Sequence, residues 1–130
     1  MASGKNENSI LYPELSYQVM GAIFEVHKEL GPGFLETVYE KALVEELKYR
    51  GLNFEQQKPV ELTYRNKKIG LHKIDLVIEG KIVLELKTVE LFSVHHKAQL
   101  LSYLKASGHK LGILVNFSRS RIEYQRVVIR

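Results

Sequence analysis

Read by its apolar positions, the chain divides into eight segments. Leu15, Val19, Ile23, Val26 and Leu30 recur every three or four residues from Pro13 onward, the spacing of one buried helix face. Proline suits a first helical position, where its missing N–H has no partner to lose. Gly31-Pro32-Gly33 then stops the helix. A second helix is predicted over about 35–50, with Leu35, Val38, Ala42, Leu43 and Leu47 inward and Gly51 as its stop. After that the period changes to two. Strands are predicted over 54–64, 69–78 and 82–87, separated by turns at 65–68 and 79–81. A third helix covers about 93–106 and ends near Gly108, and two more strands cover 111–116 and 124–129. The order ααβββαββ predicts an α/β fold, a mixed β-sheet flanked by helices. Residues 1–12 are expected to form a flexible tail ahead of a single domain over 13–130.

The turn at 79–81 sets the register that carries the chemistry. Pairing 78 with 82, 76 with 84 and 74 with 86 puts Ile74, Leu76 and Ile78 on one face with Ile82, Leu84 and Leu86. A slip by one residue would turn one apolar set the wrong way. The chosen register sets Asp75 opposite Glu85, with Lys87 following on the same face. Carboxylates opposed on adjacent strands repel each other, and a cation between them removes the conflict. Hard cations such as Mg²⁺ take one or two carboxylates together with water and substrate phosphate. They acidify that water and stabilise charge developing on a phosphate. A lysine two residues on could orient the attacking water. The same spacing also describes a solvated hairpin face with a cross-strand Lys–carboxylate pair, worth only ~0–1 kcal/mol.

On the third helix Gln99 and Tyr103 lie four apart and share a face, and the helix can fold back over the third strand. Glutamine there could fix a water or phosphate and tyrosine could stack, or both could simply edge the buried face. His96 would line the same groove, whereas its neighbour His95 points about 100° away. Arg119 and Arg121 sit in a Ser/Arg loop after the fourth strand, placed either to hold a phosphate backbone or to be solvated.

Charge sharpens this picture. The 130 residues carry a net +4, unevenly placed: residues 1–50 hold 5 Lys+Arg and 8 acids, residues 51–130 hold 14 and 7. The basic part suits a polyanion such as nucleic acid, although a basic surface also simply keeps a protein soluble. Of the 15 acids, Asp75 is the one aspartate. The absence of cysteine excludes a disulfide framework, a thiol nucleophile, a thiolate zinc site and an iron–sulfur cluster. No phosphate-binding G-x-x-x-x-G-K-[ST] loop is present, which argues against that type of nucleotide hydrolysis. No apolar run approaches ~18 residues and no signal-peptide core is visible, so no membrane partner and a cytoplasmic location are expected.

Taken together, Asp75, Glu85-Leu86-Lys87 and Gln99-x-x-x-Tyr103 resemble the PD-(D/E)xK nuclease superfamily, and the trailing Gln and Tyr are similar to its RecB-like branch. Gly33-Phe34-Leu35-Glu36-Thr37-Val38-Tyr39 is similar to the G-x-x-E-x-x-Y signature of the small GxxExxY proteins, as are 74–80, 83–87, His96-x-Ala98-Gln99 and 114–117 to other blocks of that family. The residue before Asp75 is Ile74 where the superfamily's name has proline. The resemblance implies a restriction-endonuclease-like core. It implies that Asp75, Glu85 and Glu36 hold Mg²⁺ or Mn²⁺, with help from the Leu86 backbone carbonyl. Lys87 would then be catalytic, with Gln99 in support; Tyr39, three residues after Glu36 on the same helix face, would either brace that glutamate or simply pack. The implied activity is metal-dependent hydrolysis of phosphodiester bonds, DNA being favoured over RNA. A homodimer or protein partner would help so small a core grip a duplex. The alternative is a non-catalytic nucleic-acid- or partner-binding module that retains the nuclease fold.

Overall fold

The computed structural model describes residues 10–129. Its elements are α1 (Pro13–Leu30), α2 (Glu36–Tyr49), β1 (Phe54–Tyr64), β2 (Lys67–Ile78), β3 (Ile82–Lys87), α3 (Val94–Ser107), β4 (Leu111–Asn116) and β5 (Glu123–Val128). This is the predicted order. Strand positions in the sheet follow the chain, β1-β2-β3-β4-β5, with every pair antiparallel except β3–β4. The parallel pair requires a crossover, and α3 supplies it.

The sheet is apolar on both faces, so it is covered on both. Val19, Ile23 and Val26 of α1 and Tyr39, Leu43 and Leu47 of α2 pack on Ile82, Leu84 and Leu86 of β3 and on Leu111, Ile113 and Val115 of β4. Leu100 and Leu104 of α3 pack on the opposite set, Val77, Val83, Leu114 and Val127. Gly112 makes room for α3: a Cβ there would stand 3.0 Å from the Leu100 side chain.

Four expectations are corrected. Leu35 and Val38 face solvent, 74% and 37% exposed, because α2 turns Tyr39, Leu43, Val44 and Leu47 inward instead. The first hairpin turns on Arg65-Asn66 alone, both at positive φ (50° and 63°), so β2 starts at Lys67. Paired positive φ values are those of a two-residue type I′ turn, whose twist matches that of the strands. Leu11 and Tyr12 pack against the core, and the Leu11 carbonyl accepts from Ser16 Oγ at 3.2 Å. Of the expected tail, residues 1–9 lie outside the described residues. Ile74 leaves the face of Leu76 and Ile78 and joins Val77 and Val83 beneath α3. The cause lies across the ladder. Gln57 adopts φ 50°, and pairing passes from Gln56–Leu76 to Lys58–Ile74 without a Gln57–Asp75 pair. The alternation of β2 therefore slips at Asp75.

Candidate active site

The candidate site forms where β2 and β3 part. The hairpin has the predicted register, Ile78–Ile82 and Leu76–Leu84, but pairing ends at Leu76–Leu84. The next positions are held by side chains. The Asp75 amide donates to Glu85 Oε2 at 3.2 Å, and the Leu86 amide donates to Asp75 Oδ2 at 2.8 Å. Each carboxylate thus replaces a missing rung with a bond to the other strand's backbone. The Lys87 carbonyl accepts from the Phe117 amide on the far side, at 3.0 Å. Peptide groups alternate along a strand, so the Leu86 carbonyl faces the opening beside Asp75.

This arrangement is electrostatically unfavourable by itself. Glu85 is 4% exposed. Burial, and then the neighbouring Asp75 carboxylate, push its pKa from 4.5 up to about 8. Burial also raises that of Asp75, and the charges of Glu40 and Glu36 add to the rise. Lys87 acts the other way on Glu85. His72 Nε2 lies 3.4 Å from Glu85 Oε2, but burial and the charge of Lys87 lower the histidine's pKa. The lowered pKa weakens any ion pair at this contact. A buried carboxylate pair short of positive charge is the donor set that a hard divalent cation fits. Among the described residues, no three His, Asp or Glu side chains converge as a ready-made cage. Glu36, the expected third ligand, instead accepts from the Thr88 amide at 3.3 Å. It remains close enough for its charge to raise both other carboxyls.

Glu36 is the first residue of α2. The turn before it is held by Tyr39, whose ring is buried and stacks on Phe117 at 4.4 Å. Tyr39 Oη donates to the Gly31 carbonyl at 2.5 Å and accepts from the Phe34 amide at 3.3 Å. The expected brace from Tyr39 to Glu36 is therefore indirect: the tyrosine ties down the turn from which the glutamate's helix starts. Gly33, at φ 113°, gives that turn a conformation that disfavours any other residue. Tyr39→Phe should cost about 1 kcal/mol in a urea melt, because it removes two part-buried hydrogen bonds that hold the turn. Its Mn²⁺-induced melting shift should stay within a third of wild type.

α3 forms the wall of the site. Tyr103 stacks on His72, with ring centroids 3.5 Å apart and planes 11° from parallel. Gln99, one turn earlier, is exposed, and among the described residues its side chain makes no hydrogen bond. His96 Nδ1 accepts from the Ser93 amide at 3.0 Å in a reciprocal cap that starts α3. Arg119 and Arg121 are exposed on the β4–β5 loop, and His27 Nε2 holds the Arg119 carbonyl at 2.8 Å. Lys87 and Asn116 pair in register, so this loop leaves the sheet at the end where Lys87 lies.

Sequence reasoning missed four participants. Gln57 Nε2 reaches Asp75 Oδ1 at 3.3 Å, and Glu40 accepts from Gln56 and Gln57. A hidden left-handed residue in a strand has no sequence signal, but Glu40 lies four after Glu36 and so on its helix face. Strict alternation would put His72 on the face opposite Asp75, so only the slip of β2 brings it to Glu85. Asn116, fully buried, binds both polar groups of the Val89 backbone and fixes the segment after Lys87.

A family model described as the PD-(D/E)XK nuclease superfamily matches residues 13–127. The chain belongs to that superfamily. Its mixed sheet flanked by helices is accordingly the restriction-endonuclease-like core. Among solved structures, the crystal structure of a protein called SSO0001 is similar, at TM-score 0.56 and 24% identity over 89% of this chain. At that identity the likeness speaks for the fold alone. The chain spans 58% of that protein's length. No curated protein matches the sequence. No described helix is long and apolar enough to cross a membrane.

Proposed function

We propose that this chain is a divalent-metal-dependent phosphodiester hydrolase of the GxxExxY type, in the RecB-like branch, acting on DNA in preference to RNA. In this reading residues 13–130 act as one domain, in the cytoplasm, with a second copy or a protein partner aiding grip. The observation that carries it is the buried Glu85 beside Asp75, each carboxylate bonded to the other strand's backbone, with the charge of Lys87 acting on Glu85. Bound Mg²⁺ or Mn²⁺ would supply charge stabilisation at the phosphate and an acidified water. Asp75 and Glu85 would hold the ion, with the Leu86 carbonyl at the opening and Glu36 closing in from α2. Lys87 would orient the attacking water and face the charge that develops on the phosphate. Gln99 and Tyr103 would line the approach, and Arg119 and Arg121 would meet the backbone beyond it. A second reading, a non-catalytic nucleic-acid- or partner-binding module, draws on Glu36 standing apart from the other two carboxylates.

The deciding experiment incubates purified protein with single- and double-stranded DNA and RNA in EDTA, Mg²⁺ or Mn²⁺. Cleavage confined to the metal-containing samples is expected, with DNA the better substrate. No cleavage of any of the four would overturn catalysis by the chain. Mn²⁺ stabilisation without cleavage would select the second reading.

A further inference from the structure

The β1–β2 hairpin outruns the rest of the sheet. β1 and β2 pair as far as Tyr64–Lys67, whereas β3 covers β2 only from Leu76 to Ile78. Among the described residues, 61–71 therefore form a two-stranded ribbon with no strand on either side. Its composition is unlike that of an idle loop. Residues 61–73 carry Arg65, Lys67, Lys68 and Lys73 against one acid, Glu61. Tyr64, Ile69 and Leu71 are 62%, 67% and 48% exposed. Ile69 is the extra residue where the register shifts between Leu62 and Thr63, a bulge that adds twist. The root of the ribbon lies in the candidate site, since His72 touches Glu85 and stacks on Tyr103.

The geometry points to the 61–71 ribbon as a duplex-gripping arm that enters the major groove of DNA beside the cleaved phosphate. This rests on the nuclease reading above and deepens it. The groove of B-DNA is wide enough for a two-stranded ribbon, whereas that of an A-form RNA helix is too deep and narrow to be read by side chains. From His72 to Lys67 is five residues, about 17 Å of strand, which spans about five base pairs along the duplex axis. The cations at the tip would thus meet phosphates about half a helical turn from the site. The exposed Tyr64 and Ile69 would meet base edges, thymine methyl groups among them.

The test measures binding of the full chain, in EDTA, to a fluorescent duplex DNA of about 30 base pairs over a series of salt concentrations. The variant Arg65→Ser/Lys67→Ser/Lys68→Ser changes three exposed positions at the turn. The control Lys28→Ser/Lys41→Ser/Lys48→Ser removes equal charge from exposed positions on α1 and α2. The ribbon variant is expected to lose about tenfold or more in affinity and about 2.7 from the salt slope, while the control keeps wild-type values. Equal losses in both variants would reduce the effect to bulk charge and overturn the inference. An unchanged ribbon variant would overturn it too, leaving the nuclease reading in place. Wild type that binds no duplex would overturn it as well, the nuclease reading then resting on the cleavage assay. If Ile69→Asp instead dissociates a dimer seen by sedimentation, and the ribbon variant keeps its salt slope, the ribbon is a self-association surface and the inference fails.

Discussion

Replacing Glu85 with glutamine should stabilise the metal-free protein at pH 8 while abolishing both its response to Mn²⁺ and its nuclease activity. The first effect follows from the pKa. Burial, then Asp75, raise the Glu85 carboxyl from 4.5 to about 8. Between those values the native state binds more protons than the unfolded chain, so metal-free stability falls as pH rises through that window. The destabilisation is absent below about pH 4.5 and complete above about pH 8. Glutamine keeps an oxygen for the Asp75 amide and carries no charge. Its advantage should therefore grow across the same window to the order of a few kcal/mol, or several degrees in Tm. Wild type should recover that loss when Mn²⁺ is added, because a ligand that binds only the native state stabilises it. The variant should not. Losing the metal's charge stabilisation, worth several kcal/mol, should lower cleavage about a thousandfold. A variant that melts below wild type at pH 8 without metal would show that Glu85 is comfortable as it stands. The carboxylate pair would then need no cation.

What the sequence carried was a set of local rules, and these reached the site's backbone before they reached its side chains. Register around 79–81 was legible because both strands place apolar residues every second position and a slip would expose one set. That register alone put Asp75 and Glu85 together. Local period could not show that β2 changes face at Asp75. The cause is a left-handed Gln57 on the neighbouring strand, and a polar residue in an edge strand gives no sign of it. The same limit explains Tyr39. Its place in the G-x-x-E-x-x-Y signature was visible, yet its hydroxyl turns back to Gly31 rather than to Glu36, a choice made by the fold of the turn. Leu35 and Val38 are apolar at helical spacing, but Tyr39 and Phe117 already fill the space under the start of α2. Asn116 and His72 draw their roles from partners 27 and 13 residues away, beyond any helical or strand period.

Lys87→Ala should separate chemistry from metal binding. Lys87 ends β3, and its backbone is pinned to β4 through the Phe117 amide, so the side chain leaves from a fixed point beside Glu85. Its charge favours ionised Glu85 and disfavours protonated His72. Removing it takes away the cation that partly offsets the carboxylate pair, so the metal-free variant should melt below wild type at pH 8. Divalent metal should still bind, because both carboxylates remain and a competing positive charge has gone. The Mn²⁺-induced melting shift should accordingly match or exceed that of wild type. Cleavage at saturating Mn²⁺ should nevertheless fall about 10²–10⁴-fold, the range for losing a positioned proton-handling group. Lys87→Arg sharpens the distinction. Arginine keeps the charge, so the metal-free melting profile should return to that of wild type. Its planar, permanently protonated fork cannot place an ammonium group where lysine does, so cleavage should stay low. Wild-type turnover in Lys87→Ala would remove Lys87 from the chemistry. Loss of the Mn²⁺ shift in that variant would instead make the lysine a structural support for the carboxylates.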